Sequence, residues 1–183
     1  IAAFRPRLSA ISPFLIADPK PNGGSMLRLH RDLRFSKSKD PYKARAAAYF
    51  WHQSGKENTP GIYLHLDPEH CFLGIGLWRP ATPIRRAVTD AIANRSDDWK
   101  AATTNRQFKA KLKFEGESLI NLPKQYSPDH PLAEDLRRKD FIVTAYFTRQ
   151  QVCAKDFLDR VESLCQLSQP FTQFLAKSAG LKW

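Results

Sequence analysis

Residues 28–43, Arg-Leu-His-Arg-Asp-Leu-Arg-Phe-Ser-Lys-Ser-Lys-Asp-Pro-Tyr-Lys, hold the densest chemistry in the chain. Arg28, Arg31, Arg34, Lys37, Lys39 and Lys43 crowd together, answered only by Asp32 and Asp40. Like charges this close repel unless they are solvated, paired or turned toward an anion. The segment is therefore the first candidate site, and the expected ligand is a small molecule bearing phosphate or carboxylate. Arg31 and Arg34 would form planar, bidentate contacts, Ser36 and Tyr42 would add hydroxyl donors, and Lys43 would supply a point charge. Asp32 would hold an arginine in place. An internal network of ion pairs fastening the segment to a sheet would draw on the same residues.

A second group of residues lies further along. Tyr63 and His65 sit two apart, opposite Gly74 and Gly76, and Tyr63 and Trp78 complete the ligand-binding shortlist. If the chain is an enzyme, the expected chemistry is hydrolysis or transfer on a phosphorylated substrate. His65 would then act as general acid or base and Asp32 would orient it, because imidazole titrates near neutral pH. A third reading is nucleic-acid binding, with Lys109, Lys111, Lys113, Arg85 and Arg86 on the phosphates and Trp78 or Tyr63 stacking on bases.

The elements that must position these groups follow from periodicity. Ile62, Leu64 and Leu66 alternate with Tyr63, His65 and Asp67, Pro68-Glu69-His70 turns, and Leu73, Ile75 and Leu77 alternate with Gly74, Gly76 and Trp78. Period-two alternation on both sides of a short turn predicts a β-hairpin over 61–79. Six aliphatic side chains would face the core. Tyr63, His65 and two glycines would leave a shallow trough on the other face, unless the glycines serve close packing.

Residues 26–35 and 44–51 are expected as strands, 108–114 as a strand with a lysine face, and 141–147 as a strand. Thr82 is the expected N-cap of a helix beginning at Pro83, with Ile84, Val88, Ala91 and Ile92 buried. Helical spacing also marks parts of 1–15, the stretch after His130-Pro131, 150–167 and a last helix opened by Pro170. The expected class is α+β, a largely antiparallel central sheet flanked by helices, in a single domain over 1–183. Ile1 stands first and helical spacing runs almost from there, so an upstream N-terminal segment is expected to be missing.

With 183 residues, 42% hydrophobic and 11% aromatic, the composition is that of one folded domain with a full core. A formal charge of +11 favours anionic partners: nucleic acid, a phosphorylated small molecule or an acidic protein. No apolar run approaches the roughly 20 residues of a membrane span, so no membrane role is expected. Cys71, Cys153 and Cys165 are odd in number and widely spaced, which argues against a disulfide framework and for buried thiols in a reducing, cytoplasmic setting.

Known motifs mostly fail. His30-Arg31-Asp32-Leu33 spells the opening of a kinase catalytic loop, but Lys37 stands where the asparagine belongs. There is no phosphate loop, dinucleotide fingerprint, His-Glu-x-x-His or Gly-x-Ser-x-Gly. His52, His65, His70 and His130 lack metal-ligand spacing, and neither cofactor nor metal is expected.

Four stretches together carry a family likeness: Arg31-Asp32-x-Arg34-Phe35-Ser36-Lys37-x-Lys39-x-Pro41-Tyr42-Lys43; Gly61-Ile62-Tyr63-Leu64-His65; Gly74-Ile75-Gly76-Leu77-Trp78-Arg79-Pro80; and Asp129-His130-Pro131 ahead of Lys139. The chain resembles the domain of unknown function 2461 family of bacterial and fungal proteins over nearly its whole length. Members usually begin with a further segment bearing an Asn-Asn and a Trp-Phe pair. They also read Ser-Lys-Asp-Lys where this chain has Ser36-Lys37-Ser38-Lys39. The resemblance implies a fold and a residue shortlist, and no activity.

Overall fold

The computed structural model describes residues 1–30 and 40–183. Among the described residues six strands form one sheet: β1 (Leu15–Ile16), β2 (Ala46–His52), β3 (Gly61–Leu66), β4 (Cys71–Leu77), β5 (Lys113–Glu115) and β6 (Phe141–Phe147). Their order is β1-β2-β3-β4-β6-β5, and every neighbouring pair is antiparallel. The helices are α1 (Arg5–Ile11), α2 (Thr82–Asn94), α3 (Ser96–Thr103), α4 (Arg106–Lys111), α5 (Ala133–Leu136), α6 (Arg149–Val152), α7 (Phe157–Leu167) and α8 (Gln169–Ser178). The class is α+β, with a largely antiparallel sheet. Among the described residues no helix is long and apolar enough to cross a membrane.

The hairpin and β6 stand where alternation places them, with Leu64 opposite Leu73 and Leu73 opposite Ala145. Ile62, Leu73, Ile75, Leu77, Phe141 and Val143 are buried on one face of the sheet, against which α8 packs through β4. Leu64 and Leu66 are only half-buried and line an apolar hollow of about 190 Å3 with Phe4, Phe50 and Val161. Beneath the sheet, Trp99 meets Phe174 at 5.2 Å between ring centres, and Phe114 meets Phe171 edge-on at 5.6 Å. Trp99 Nε1 donates to Asp135 Oδ2 at 3.0 Å, which satisfies the one polar atom that this ring buries.

Four local expectations are corrected. Residues 108–114 do not form a strand: α4 runs through Lys111, and only Lys113 and Phe114 belong to β5. Asn105 caps that helix by accepting from the Phe108 amide at 2.7 Å, and Phe108 and Leu112 are buried four apart on its inner side. Lys109, Lys111 and Lys113 therefore make no ladder. Residue Ala81, not Thr82, is the N-cap of α2, and no side chain caps it. The helical stretch after 148 is two helices, separated by a turn at 153–156. Residues 26–30 carry only isolated bridges, Met26 to Ala48 and His30 to Tyr42, while 31–35 of that expected strand lie outside the described residues.

Candidate functional site

The residues flanking the basic stretch converge. The Leu27 amide donates to the Ala47 carbonyl at 2.9 Å, that of Tyr49 to Ser25 at 2.8 Å and that of Lys43 to Leu29 at 2.8 Å. Segment 25–30 thus runs antiparallel along the chain that enters β2, and it carries Arg28 beside Lys43 and Arg45. Leu27, Arg28, Lys43, Arg45, Ala47 and Tyr63 line a notch of about 30 Å3, the room of roughly one water. Among the described residues, none of the three cations has a carboxylate within ion-pair distance. Three cations around a phenol, Arg28 and Arg45 exposed and Lys43 half-buried, concentrate positive potential at the notch.

Behind the notch lies a chain of polar groups with the buried His65 at its centre. The Tyr63 hydroxyl is 3.0 Å from His65 Nδ1, and His65 Nε2 is 3.6 Å from Asp67 Oδ2. The amides of His70 and Glu69 donate to Asp67 Oδ1 at 2.7 and 2.8 Å, and they hold its carboxyl below the usual carboxylate range. His65 is 6% exposed and stacks on Phe72, with ring centres 4.8 Å apart and planes 13° apart. Phe72 in turn meets Tyr63 at 5.8 Å and Tyr146 at 6.1 Å. A carboxylate–imidazole–phenol series can hold or pass a proton toward the notch.

The glycine trough is narrower than alternation implies. The Tyr49 ring lies across Gly61, where a Cβ would fall 2.5 Å from its hydroxyl. Gly76 has φ +130°, and a Cβ there would fall 2.1 Å from the Phe141 carbonyl oxygen. At Gly74 a Cβ would meet nothing nearer than 4.0 Å. Of these three glycines, Gly74 alone leaves room for a side chain among the described residues.

Of the shortlist, Lys43 and Tyr63 share the notch and His65 stands behind it. Tyr42 is 59% exposed, its ring 4.9 Å from His30. Trp78 is 66% exposed beside Arg79 and lies four residues beyond Gly74, roughly 13 Å along β4. The structure does not bring it to the notch. Arg31, Asp32, Arg34 and Ser36 lie outside the described residues. Two contributors escaped the sequence reading: Arg45 as a notch cation and Asp67 as the carboxylate beside His65. The His65-x-Asp67 spacing was the available signal, since strand residues two apart share a face.

Other polar candidates are structural. His52 Nε2 lies 2.9 Å from the Lys182 carbonyl and its Nδ1 accepts from the Ser54 amide at 3.2 Å, while His130 Nδ1 accepts from the Leu132 amide at 3.1 Å. Cys71 and Cys165 are buried, and burial pushes the Cys165 thiol far up, away from a nucleophile. Cys153 is exposed, contrary to the expectation of a buried thiol, because it sits in the turn after α6.

The family model described as "Conserved hypothetical protein (DUF2461)" matches residues 1–174. No curated protein and no solved structure matches the chain.

Proposed function

From the premise that this chain belongs to the DUF2461 family, whose description carries no activity, we propose that it binds a small molecule through a phosphate or carboxylate group held at the mouth of the notch of Arg28, Lys43, Arg45 and Tyr63. The observation that carries this reading is the convergence of three cations without acidic partners among the described residues on one hollow. Arg31, Arg34, Ser36 and Tyr42, within or beside the stretch that the notch flanks, are proposed as further ligand contacts. The three unbonded cysteines accord with a reducing, cytoplasmic setting.

Thermal unfolding in inorganic phosphate, pyrophosphate and citrate, against chloride at equal ionic strength, tests the proposal. A ligand at a hundred times its Kd adds about 2.7 kcal/mol of stability. At least one anion is expected to raise Tm saturably in the native chain but not in an Arg28→Ala/Arg45→Ala double variant. Equal shifts in both proteins, or none in either, overturn it.

The series Tyr63–His65–Asp67 favours a second reading, in which the notch is the active site of a hydrolase or transferase for a phosphorylated substrate. His65 is the acid or base, and Asp67 takes the orienting part expected of Asp32. Release of nitrophenol from p-nitrophenyl phosphate, lost in His65→Gln without a change in fold, is the expected outcome. No release by the native chain at any pH from 5 to 9 removes this reading.

A further inference from the structure

Among the described residues nothing requires glycine at position 74. Its φ is not in the left-handed region and no described neighbour comes nearer than 4.0 Å to its missing side chain, in contrast to Gly61 beneath the Tyr49 ring and Gly76 against the Phe141 carbonyl. Glycine in a strand interior costs stability through backbone entropy and lost packing. What its absence of a side chain provides here is an open patch of sheet, walled by aromatic rings.

That patch adjoins the notch. Gly74 is the register partner of Tyr63 on one side and of Thr144 on the other. Phe72, stacked over His65, stands two residues away on the same face, and Tyr146 beyond it is 57% exposed. Thr144, 3% exposed, brings a hydroxyl-bearing side chain to the far edge of the patch. The notch sits around Ala47 on β2 and Gly74 lies two strands away on β4, about 10 Å at the usual strand spacing, roughly the reach of a nucleotide from its phosphate to the far edge of its base. Aromatic walls suit a planar π-system, a hydroxyl suits its ring heteroatoms, and the cations suit a phosphate.

We infer that the ligand is a free nucleotide, its phosphate held by Arg28, Lys43 and Arg45 and its base lying over Gly74 against Phe72 and Tyr146. The inference rests on the anion-binding reading proposed above and adds the identity of the rest of the molecule.

Titration calorimetry with inorganic phosphate, ribose 5-phosphate, AMP and a single-stranded RNA decamer separates the parts. AMP is expected to bind about tenfold tighter than ribose 5-phosphate, as one base–aromatic stack provides. The substitution Gly74→Leu fills the patch in a position that tolerates a side chain. It is expected to bring AMP down to the affinity of ribose 5-phosphate while phosphate binding stays unchanged. Tyr146→Ala, at an exposed ring, is expected to lower AMP affinity alone.

Equal binding of AMP and ribose 5-phosphate, or AMP affinity unmoved by both variants, overturns the nucleotide while leaving the anion site intact. Binding of the decamer tenfold tighter than AMP overturns the free nucleotide in favour of a polymer. Failure of phosphate, ribose 5-phosphate and AMP alike overturns the anion site and this inference together.

Discussion

The two faces of the central sheet are built from the same strands and differ residue by residue. On the inner face stand Ile62, Leu73, Ile75, Leu77 and Val143, none more than 2% exposed. On the outer face their immediate neighbours are Tyr63, Phe72, Gly74, Thr144 and Tyr146. The inner set is branched and aliphatic, the composition that fills a core at high density. The outer set has rings, hydroxyls and a missing side chain, which stabilise a core poorly and recognise a ligand well. Period-two geometry lets one hairpin carry both sets. Stability should therefore reside on one face and binding on the other.

Substitutions along β4 break or sharpen that contrast. Leu73→Ala deletes a fully buried side chain between β3 and β6, and a loss of about 2–5 kcal/mol is expected by urea unfolding. Next in size, Gly76→Ala must fit a Cβ 2.1 Å from a carbonyl oxygen at φ +130°, and a loss upward of about 2 kcal/mol is expected. Gly74→Ala, two residues earlier, is expected to be neutral or to stabilise by about 0.4–1 kcal/mol. Equal losses at the two glycines would refute the open patch.

Phe72→Ala gives up ring contacts with Tyr63, His65 and Tyr146 on the half-buried face, and a loss of about 1 kcal/mol is expected. A loss matching that of Leu73→Ala would make the outer face a second core and end the comparison.

The smallest effect concerns pH. The His70 and Glu69 amides lower the Asp67 carboxyl in the folded chain. A carboxyl lowered on folding stabilises above its unfolded value, about 3.9. That stability is lost as pH falls through the lowered folded value. Asp67→Asn is therefore expected to unfold at lower temperature than the native chain at pH 7, and the gap should close in acid. A gap that widens in acid contradicts the assignment.

The sequence was most readable where geometry is set by near neighbours. The hairpin at 61–79 and the strand at 141–147 announce themselves because side chains alternate strictly and turn residues separate them. Pro170 likewise opens α8, where its missing amide costs nothing. Residues 108–114 misled because Phe108 and Leu112 satisfy period two and helical spacing alike, and the Asn105 cap decides for the helix. The site was half legible. Lys43, Tyr63 and His65 could be named from type and spacing, whereas Arg45 becomes a notch residue only once segment 25–30 pairs along β2. Trp78 was named with Tyr63 as a ring to stack on bases, yet it lies past the end of β4, four residues beyond the Gly74 that faces Tyr63.

The central claim is that an anion lodges on the outer face beside Tyr63. Amide shifts of the isotope-labelled protein, followed while inorganic phosphate is added, read this position by position. The account predicts saturable movement at Arg28, Lys43, Arg45, Ala47 and Tyr63, with Leu73, Ile75 and the α2 arginines Arg85 and Arg86 unmoved. Movement that tracks Arg85, Arg86 and other exposed cations as strongly, or that never saturates, would contradict it.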